Sequence, residues 1–256
     1  MSDKAPIIYT VEGSIARIVL NRPEKRNAIN IEMINALAKT CSSIECNSSI
    51  RAVILSANGT AFCAGGDIDE WSSFSAIEFG KSWLNRGNRV FDLIARLPQP
   101  VIAVLDGHVM GGGLELAACA DFRIAEEDIK IGLPETSLGI IPGWSGTQRT
   151  VRRFGVQIVK RMALFGEILS AQHALDAGIL DYVVPTNTAM DAAYDMAQKI
   201  VMRSPHATAI TKIMINIAEG EETGNALDAL AGAVAFGLGD LEEGLTAFQE
   251  KRKPQF

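Results

Sequence analysis

The segment from Val109 to Ala120 (VMGGGLELAACA) constrains the fold more than any other part of this 256-residue chain. Every residue in it except Glu115 is apolar or very small, which is typical of a helix packed inside a core. A carboxylate in such a helix is predicted to be buried, and burial raises a carboxyl pKa toward the range useful for proton transfer. The sequence leaves open the alternative that Glu115 only pairs with an arginine inside the core.

Glycines cluster at two turns that each follow an apolar run. One turn contains Gly111, Gly112 and Gly113, and the other contains Gly65 and Gly66. At the start of a helix the backbone N–H groups lack intrahelical acceptors, and glycine lets a ligand oxygen approach them closely. Two such donors that converge would form an oxyanion hole. A turn that only needs positive φ is the alternative, although it explains one glycine more easily than three.

A second acidic candidate is Glu135, which follows Pro134 and is therefore held stiffly. A single glutamate in a loop is usually solvated. Together with a buried Glu115, however, it becomes a candidate for acid/base catalysis by two carboxylates.

Composition limits the possible partners. The net charge of −6 argues against a general nucleic-acid or anionic-membrane binder, and the 48% hydrophobic content predicts a folded core.

No apolar run approaches the ~20 residues that span a bilayer, and no secretory signal is evident, so we expect a cytoplasmic protein. The four cysteines and three histidines show no zinc-ligand spacing, so we expect reduced thiols and no metal site.

The order of predicted elements favours an α/β fold with parallel pairing. Strands are expected within 7–20, 51–56, 101–105, 122–125 and 130–133, a glycine-rich loop at 59–66, and helices after Asn30 and over 75–96. Helices are expected near 145–165, 171–177, 189–203, 206–219, 222–235 and 240–251. We place a boundary near residue 195, which separates a core of residues 1–195 from a helical region of residues 196–256.

Several familiar signatures do not occur. The glycines do not fit G-x-G-x-x-G, and there is no phosphate-binding G-x-x-x-x-G-K-[ST] or hydrolase G-x-S-x-G. Basic residues cluster between Arg149 and Arg161 and again from Lys251 to Lys253. These clusters could contact a phosphorylated ligand, form salt bridges between subunits, or be solvated faces.

In several of these segments the chain closely resembles the crotonase (enoyl-CoA hydratase/isomerase) superfamily, and the resemblance covers its whole length. The matching segments are NRPEKRNAIN (21–30), AFCAGGDIDE (61–70), PVIAVLDGHVMGGGLELAACADFRIA (100–125), IGLPETSLGIIPGWSGTQR (131–149) and AFQEKRKPQF (247–256). The resemblance implies a crotonase-like spiral of β-β-α turns followed by a helical C-terminal trimerisation region. It also implies a homotrimer, or a hexamer built as a dimer of trimers.

The same resemblance implies an acyl-CoA thioester as substrate, with coenzyme A a part of that substrate and not a cofactor. By motif position, the backbone N–H groups of Gly66 and Gly112 hold the thioester oxygen, and Glu115 and Glu135 are the catalytic carboxylates. The residues implied to contact coenzyme A or the acyl chain are Lys25, Arg26, Ala28, Ala64, Gly65, Asp67, Ile68, Gly111, Pro134, Leu138, Phe248 and Lys251.

Because both glutamates are present, the resemblance favours hydration of a 2-trans-enoyl-CoA to a 3-hydroxyacyl-CoA. Another crotonase reaction, such as enoyl-CoA isomerisation or thioester hydrolysis, is the alternative. An acyl-CoA-binding protein without catalytic activity is a third reading, against which the two intact glutamates argue.

The chain departs from the family pattern after Pro142-Gly143, where many hydratases have small residues and this sequence has Trp144. Trp71 and Trp83 lie in a variable segment that often lines the acyl tail in this family. These residues predict a restricted pocket that disfavours long straight chains.

Overall fold

The structure, a computed structural model, describes residues 5–71, 73–221, 231–232, 234, 236 and 240–256. The chain divides into two compact units, Met1–Ala209 and Ile210–Phe256. The boundary expected near residue 195 falls within the helix Ala189–Val201 of the first unit. The trimerisation role expected for residues 196–256 stays a prediction, and most of the helix expected over 222–235 lies outside the described residues.

Short apolar runs form the strands of two sheets. In chain order they are β1 (Ile7–Glu12), β2 (Ile15–Leu20), β3 (Ala52–Ala57), β4 (Ala61–Cys63), β5 (Val101–Leu105), β6 (His108–Met110), β7 (Phe122–Glu126), β8 (Lys130–Gly132), β9 (Leu169–Ser170) and β10 (Tyr182–Val184). In the six-stranded sheet the order is β1-β2-β3-β5-β7-β10, and in the four-stranded sheet it is β4-β6-β8-β9. Neighbouring strands are parallel except for β1 with β2 and β8 with β9.

The helices connect and cover these sheets. The described ones are α1 (Ile31–Glu45), α2 (Ile68–Trp71), α3 (Ala76–Glu78), α4 (Asn85–Ala95), α5 (Gly112–Ala117), α6 (Arg149–Phe154), α7 (Val156–Phe165), α8 (Ala171–Asp176), α9 (Ala189–Val201), α10 (Pro205–Ala218) and α11 (Asp240–Gln249). Two short 3-10 helices, Pro23–Lys25 and Glu135–Leu138, and one π-helix, Phe79–Leu84, complete the set.

The chain advances as a spiral because each of three strands in the large sheet is followed at once by a strand of the small sheet. The successive pairs are β3 and β4, β5 and β6, and β7 and β8. The predicted α/β class and spiral of β-β-α turns are therefore confirmed. The parallel arrangement brings the carboxyl ends of β4 and β6 side by side, which positions the loops that follow them.

The two faces of the large sheet are buried in different ways. One face, with helices α1, α4 and α5, belongs to the main hydrophobic core. The other face, which includes Ile54 and Val104, packs against Ala189, Ala193 and Ala197 of α9. These alanines recur every four residues, so they lie on one side of α9 and let it approach the sheet closely.

Local sequence signals explain where several elements begin. The Asn30 side chain accepts a hydrogen bond from the Met33 N–H at 2.9 Å, so Asn30 caps α1 as expected. A single helix is expected over 75–96, and this segment is helical. The structure divides it, however, into α3, the π-helix and α4. The loop expected at 59–66 contains β4, a strand too short to show alternation in sequence.

Candidate active site

The two glycine turns meet at the ends of the parallel strands β4 and β6. A Cβ atom on Gly65 would lie 3.5 Å from the backbone nitrogen of Gly112. A Cβ atom on Gly113 would lie only 2.4 Å from the carbonyl oxygen of Cys63, which a real side chain cannot do. Gly65 and Gly111 also have φ of +106° and +54°. Close approach and positive φ thus both require glycine here.

Two backbone N–H groups at this junction are available to a ligand. The Ile29 N–H donates to the Gly65 carbonyl and the Asp67 N–H donates to the Ile29 carbonyl, both at 2.8 Å, so this parallel bridge leaves out the N–H of Gly66. Gly112 is the first residue of α5, where an N–H has no intrahelical acceptor. In the part of the chain that the structure describes, neither N–H has a hydrogen-bond acceptor.

Glu115 lies on α5, one turn from Gly112, and is only 3% exposed. The backbone N–H of Trp144 donates to its Oε1 at 2.6 Å. Gly146 contacts the same oxygen so closely that a Cβ there would lie 2.3 Å from it. Burial and the nearby Glu135 carboxylate raise the pKa of Glu115 to about 8, against the opposing effect of the Trp144 and Gly146 N–H groups. Arg149 forms an ion pair with Asp92 at 2.6 Å.

Glu135 opens the 3-10 helix after Pro134 and is 8% exposed. Neither of its carboxylate oxygens has a hydrogen-bond partner among the described residues. A Cβ atom on Gly111 would lie 2.9 Å from Oε1, so the carboxylate packs directly against the second glycine turn. Burial raises the pKa of Glu135 to about 7. A buried, unpartnered carboxylate is costly in free energy and is a common sign of a functional group.

One cavity joins these groups and encloses about 530 Å³, including the open space at its mouth. The predicted site residues that line it are Ala64, Gly65, Gly66, Ile68, Gly111, Gly112, Glu115, Pro134, Glu135 and Leu138. Sequence reasoning also singled out Trp71, Trp83 and Trp144, which line the same cavity.

Four other predicted residues do not line this cavity, and the structure shows what each of them contacts instead. Asp67 forms an ion pair with Arg22 at 2.9 Å, and the same guanidinium donates to the Ala28 carbonyl at 2.6 Å. Lys25 pairs with Asp69 at 2.6 Å on the surface, and Arg26 is a left-handed helix cap with φ of 49°. Their contact with coenzyme A stays a prediction.

Phe248 and Lys251 belong to the second unit, where both are exposed. Their contact with coenzyme A also stays a prediction.

Sequence reasoning missed several contributors to the site. The backbone N–H of Trp144 that holds Glu115 has no signature in sequence, because every residue except proline has such a donor. Phe79 and Leu84 line the cavity from the π-helix, which a 3.6-residue period does not reveal. Gly143 lines it as well.

Among the described residues, no group of three or more His, Cys, Asp or Glu side chains is placed to hold a metal ion. Within the same residues, no helix is both long and apolar enough to cross a membrane.

Comparison with known proteins places this site in context. The family model described as enoyl-CoA hydratase/isomerase matches residues 10–256. An enoyl-CoA isomerase/hydratase of Mycosarcoma maydis is 38% identical over 254 residues, covering 94% of this chain and 92% of that protein. A short-chain-enoyl-CoA hydratase of Clostridium acetobutylicum is 36% identical over 250 residues, covering 96% and 95%. The crystal structure of an enoyl-CoA hydratase from Bacillus anthracis superposes with a TM-score of 0.82 at 34% identity, covering 98% of each chain.

Proposed function

The chain belongs to the enoyl-CoA hydratase/isomerase family, and we propose that it adds water to a 2-trans-enoyl-CoA to give a 3-hydroxyacyl-CoA. The observation that carries this proposal is the single cavity in which two buried carboxylates, Glu115 and Glu135, face two unused backbone donors. That set of groups matches the needs of the reaction, which requires charge stabilisation on one oxygen and proton transfer at two carbons.

The thioester oxygen is proposed to accept hydrogen bonds from the N–H groups of Gly66 and Gly112. When water attacks Cβ, the electron pair of the double bond moves toward the thioester and negative charge builds on this oxygen. Each donor then stabilises the enolate-like state by about 3 kcal/mol, the size measured for other oxyanion-hole donors.

Glu135 is proposed as the main acid/base. Ionised, it takes a proton from water while the oxygen of that water bonds to Cβ, and it then returns this proton to Cα as the enolate collapses. Its unpartnered oxygens and its pKa of about 7 suit a group that exchanges a proton at neutral pH. Glu115, with a pKa of about 8, is mostly protonated at neutral pH and is proposed to orient the water.

The test is hydration of crotonyl-CoA, followed by loss of the absorbance of the conjugated thioester. The wild-type protein is expected to turn over, and Glu135→Gln is expected to lose nearly all activity. Glu127→Gln, a change of the same kind at an exposed position, is the matched control and should keep the wild-type rate. Full activity in Glu135→Gln would refute the assignment of the acid/base.

Isomerisation is the second candidate, and one observation favours it. Because both oxygens of Glu135 are unpartnered, the same carboxylate could move a proton between Cα and Cγ of a 3-enoyl-CoA. The relative from Mycosarcoma maydis carries both activities in its name. Product identification after incubation with a 3-enoyl-CoA separates the two reactions, and release of free coenzyme A thiol would indicate thioester hydrolysis instead.

A homotrimer, or a hexamer formed by two trimers, is part of the proposal. Apolar side chains on the second unit support it, because such residues are usually covered in an assembly. Those more than half exposed include Met214, Ile215, Leu245 and Phe248. Light scattering is expected to give a mass that is three or six times the 27.5 kDa of one chain, and a monomer would contradict this.

A further inference from the structure

Two buried tryptophan side chains, those of Trp83 and Trp144, line the cavity. Resting on the proposed function, we infer that the indole of Trp144 is a specificity-determining group that limits the substrate to short enoyl chains. Trp144 is 3% exposed and Trp83 is 2% exposed. At the mouth, by contrast, Leu138 and Ile141 are 62% and 65% exposed. A substrate that enters at the mouth therefore has its acyl chain directed toward the two buried indoles.

The indole of Trp144 occupies a slot that two glycines leave open. A Cβ atom on Gly87 of α4 would lie 2.0 Å from its Nε1, and a Cβ atom on Gly112 would lie 2.8 Å from its Cζ3. Any larger residue at either position would collide with the ring. The backbones of two helices thus hold the ring from two sides.

Aromatic neighbours keep the indole in this slot. Its ring centroid lies 5.0 Å from that of Trp83 and 5.2 Å from that of Phe91. Its Nε1 also points to the carbonyl of Trp83 at 3.4 Å. Moving the ring aside to admit a longer chain would break these contacts and overpack the core around α4. The indole is therefore a fixed wall and not a movable gate.

The indole of Trp144 lies next to the two N–H groups that are proposed to bind the thioester oxygen. It therefore limits the length of the acyl chain that the cavity can accept. The ring of Trp144 packs against Gly112, and the rings of Trp71 and Trp83 pack against Gly66, where a Cβ would lie 2.8 Å and 3.1 Å from their Cζ2 atoms. Both proposed oxygen donors therefore have an indole in direct contact. An acyl chain that begins at this anchor has room for few carbons before it reaches Trp144.

The backbone and the side chain of residue 144 act on different parts of the site. The backbone N–H holds Glu115, and the indole closes the chain-binding space. A substitution of Trp144 by any residue except proline keeps the N–H and removes the indole. The ratio of activities on long and short substrates then isolates the role of the indole, whatever the change in absolute rate.

The experiment compares kcat/KM for crotonyl-CoA and trans-2-decenoyl-CoA in wild type, Trp144→Phe and Trp144→Ala. Burial of one methylene group favours binding by about fourfold, so opening the wall should raise the long-to-short ratio at least tenfold in Trp144→Ala. Trp144→Phe should give an intermediate ratio, and it remains informative if the alanine variant does not fold. Phe165→Ala, which removes an aromatic side chain that is 82% exposed and does not line the cavity, is the matched control and should leave the ratio unchanged.

A second measurement separates this inference from the proposed reaction. Calorimetric titration with butyryl-CoA and decanoyl-CoA, which have no double bond to hydrate, reports chain-length preference even if neither enoyl thioester is turned over. Tighter binding of decanoyl-CoA by the wild type would overturn the inference, and so would an unchanged ratio in both Trp144 variants. Lack of turnover together with a clear preference for butyryl-CoA would refute only the hydratase assignment.

Discussion

Glu115 and Glu135 both place a carboxyl group in the same cavity, but the two carboxyl groups differ in their contacts. Glu115 lies on a regular helix, and its carboxylate receives the Trp144 N–H and packs against Gly146. Glu135 lies at the start of a short 3-10 helix, and its two oxygens have no partners among the described residues. An anchored carboxylate can orient a water molecule, whereas an unanchored one is free to exchange protons with substrate. The contrast supports the proposed division of roles.

The largest expected effect is on kcat when each carboxylate is replaced in turn. Glu135→Gln should reduce kcat by about a thousandfold, because it removes the acid/base, while Glu115→Gln should cost about a hundredfold. The double variant should be little worse than Glu135→Gln alone, since residues that act together are not additive. Rates of crotonyl-CoA hydration check this order, and a larger loss in Glu115→Gln would reverse the assigned roles.

A smaller effect is expected from disturbing the anchor of Glu115 without changing its charge. In Gly146→Ala the new methyl group would collide with Oε1 and also lie 2.6 Å from the Cβ of Pro142. Displacement of the carboxylate by a fraction of an ångström should lower kcat by roughly tenfold to a hundredfold.

The control for that variant is Gly80→Ala. A Cβ atom on Gly80 would meet no heavy atom of the described residues within 4 Å, and the φ of Gly80 is not in the left-handed region. Turnover by this variant should equal that of the wild type. If Gly146→Ala also retains the wild-type kcat, the contact with Gly146 does not position Glu115.

The pH dependence of kcat/KM should resolve the two carboxylates. Glu135 must be ionised to accept a proton, so activity should rise with pH through about 7. Glu115 must keep its proton to serve as proposed, so activity should fall as pH rises through about 8. Because the two groups interact, the limbs report the pair. Glu115→Gln should remove the falling limb, and a profile that still falls would assign that limb to another group.

The sequence predicted the Glu115 region better than its surroundings, and the reason is physical. A long run of small and apolar residues around one acid leaves few environments for that acid, and the structure buries it. β4 and β6 are three residues each and too short for alternation to appear, so their contribution to the second sheet was not foreseen. The residues alone offered the pair of Glu115 and Glu135 only as a candidate, and the resemblance supplied their catalytic roles.

Gly87 illustrates what sequence patterns cannot supply. In the sequence, Gly87 indicates only a position that lowers helix stability, since glycine disfavours a helix by about 1 kcal/mol relative to alanine. In the structure it leaves the space for the indole of Trp144, which comes from a distant part of the chain. Such complementarity depends on tertiary packing, which no local pattern encodes.

The smallest expected effect concerns stability and follows from the unpartnered state of Glu135. Its pKa in the folded protein is raised from 4.5 to about 7, so the folded state holds a proton that the unfolded chain releases. The stability that this proton confers is full below about pH 4.5 and is lost as the pH rises to about 7. Glu135→Gln does not titrate, so relative to wild type its free energy of unfolding should gain roughly 2 kcal/mol between pH 5 and pH 8, or a few degrees in Tm.

Thermal unfolding of both proteins at the two pH values measures this gain, and a difference in Tm that does not change with pH would mean that Glu135 ionises without cost in the folded protein. The pKa of Glu115 is raised further, to about 8, so Glu115→Gln should show a larger gain relative to wild type between pH 5 and pH 8. The contacts with Trp144 and Gly146 that this variant disturbs should lower its stability by a similar amount at both pH values.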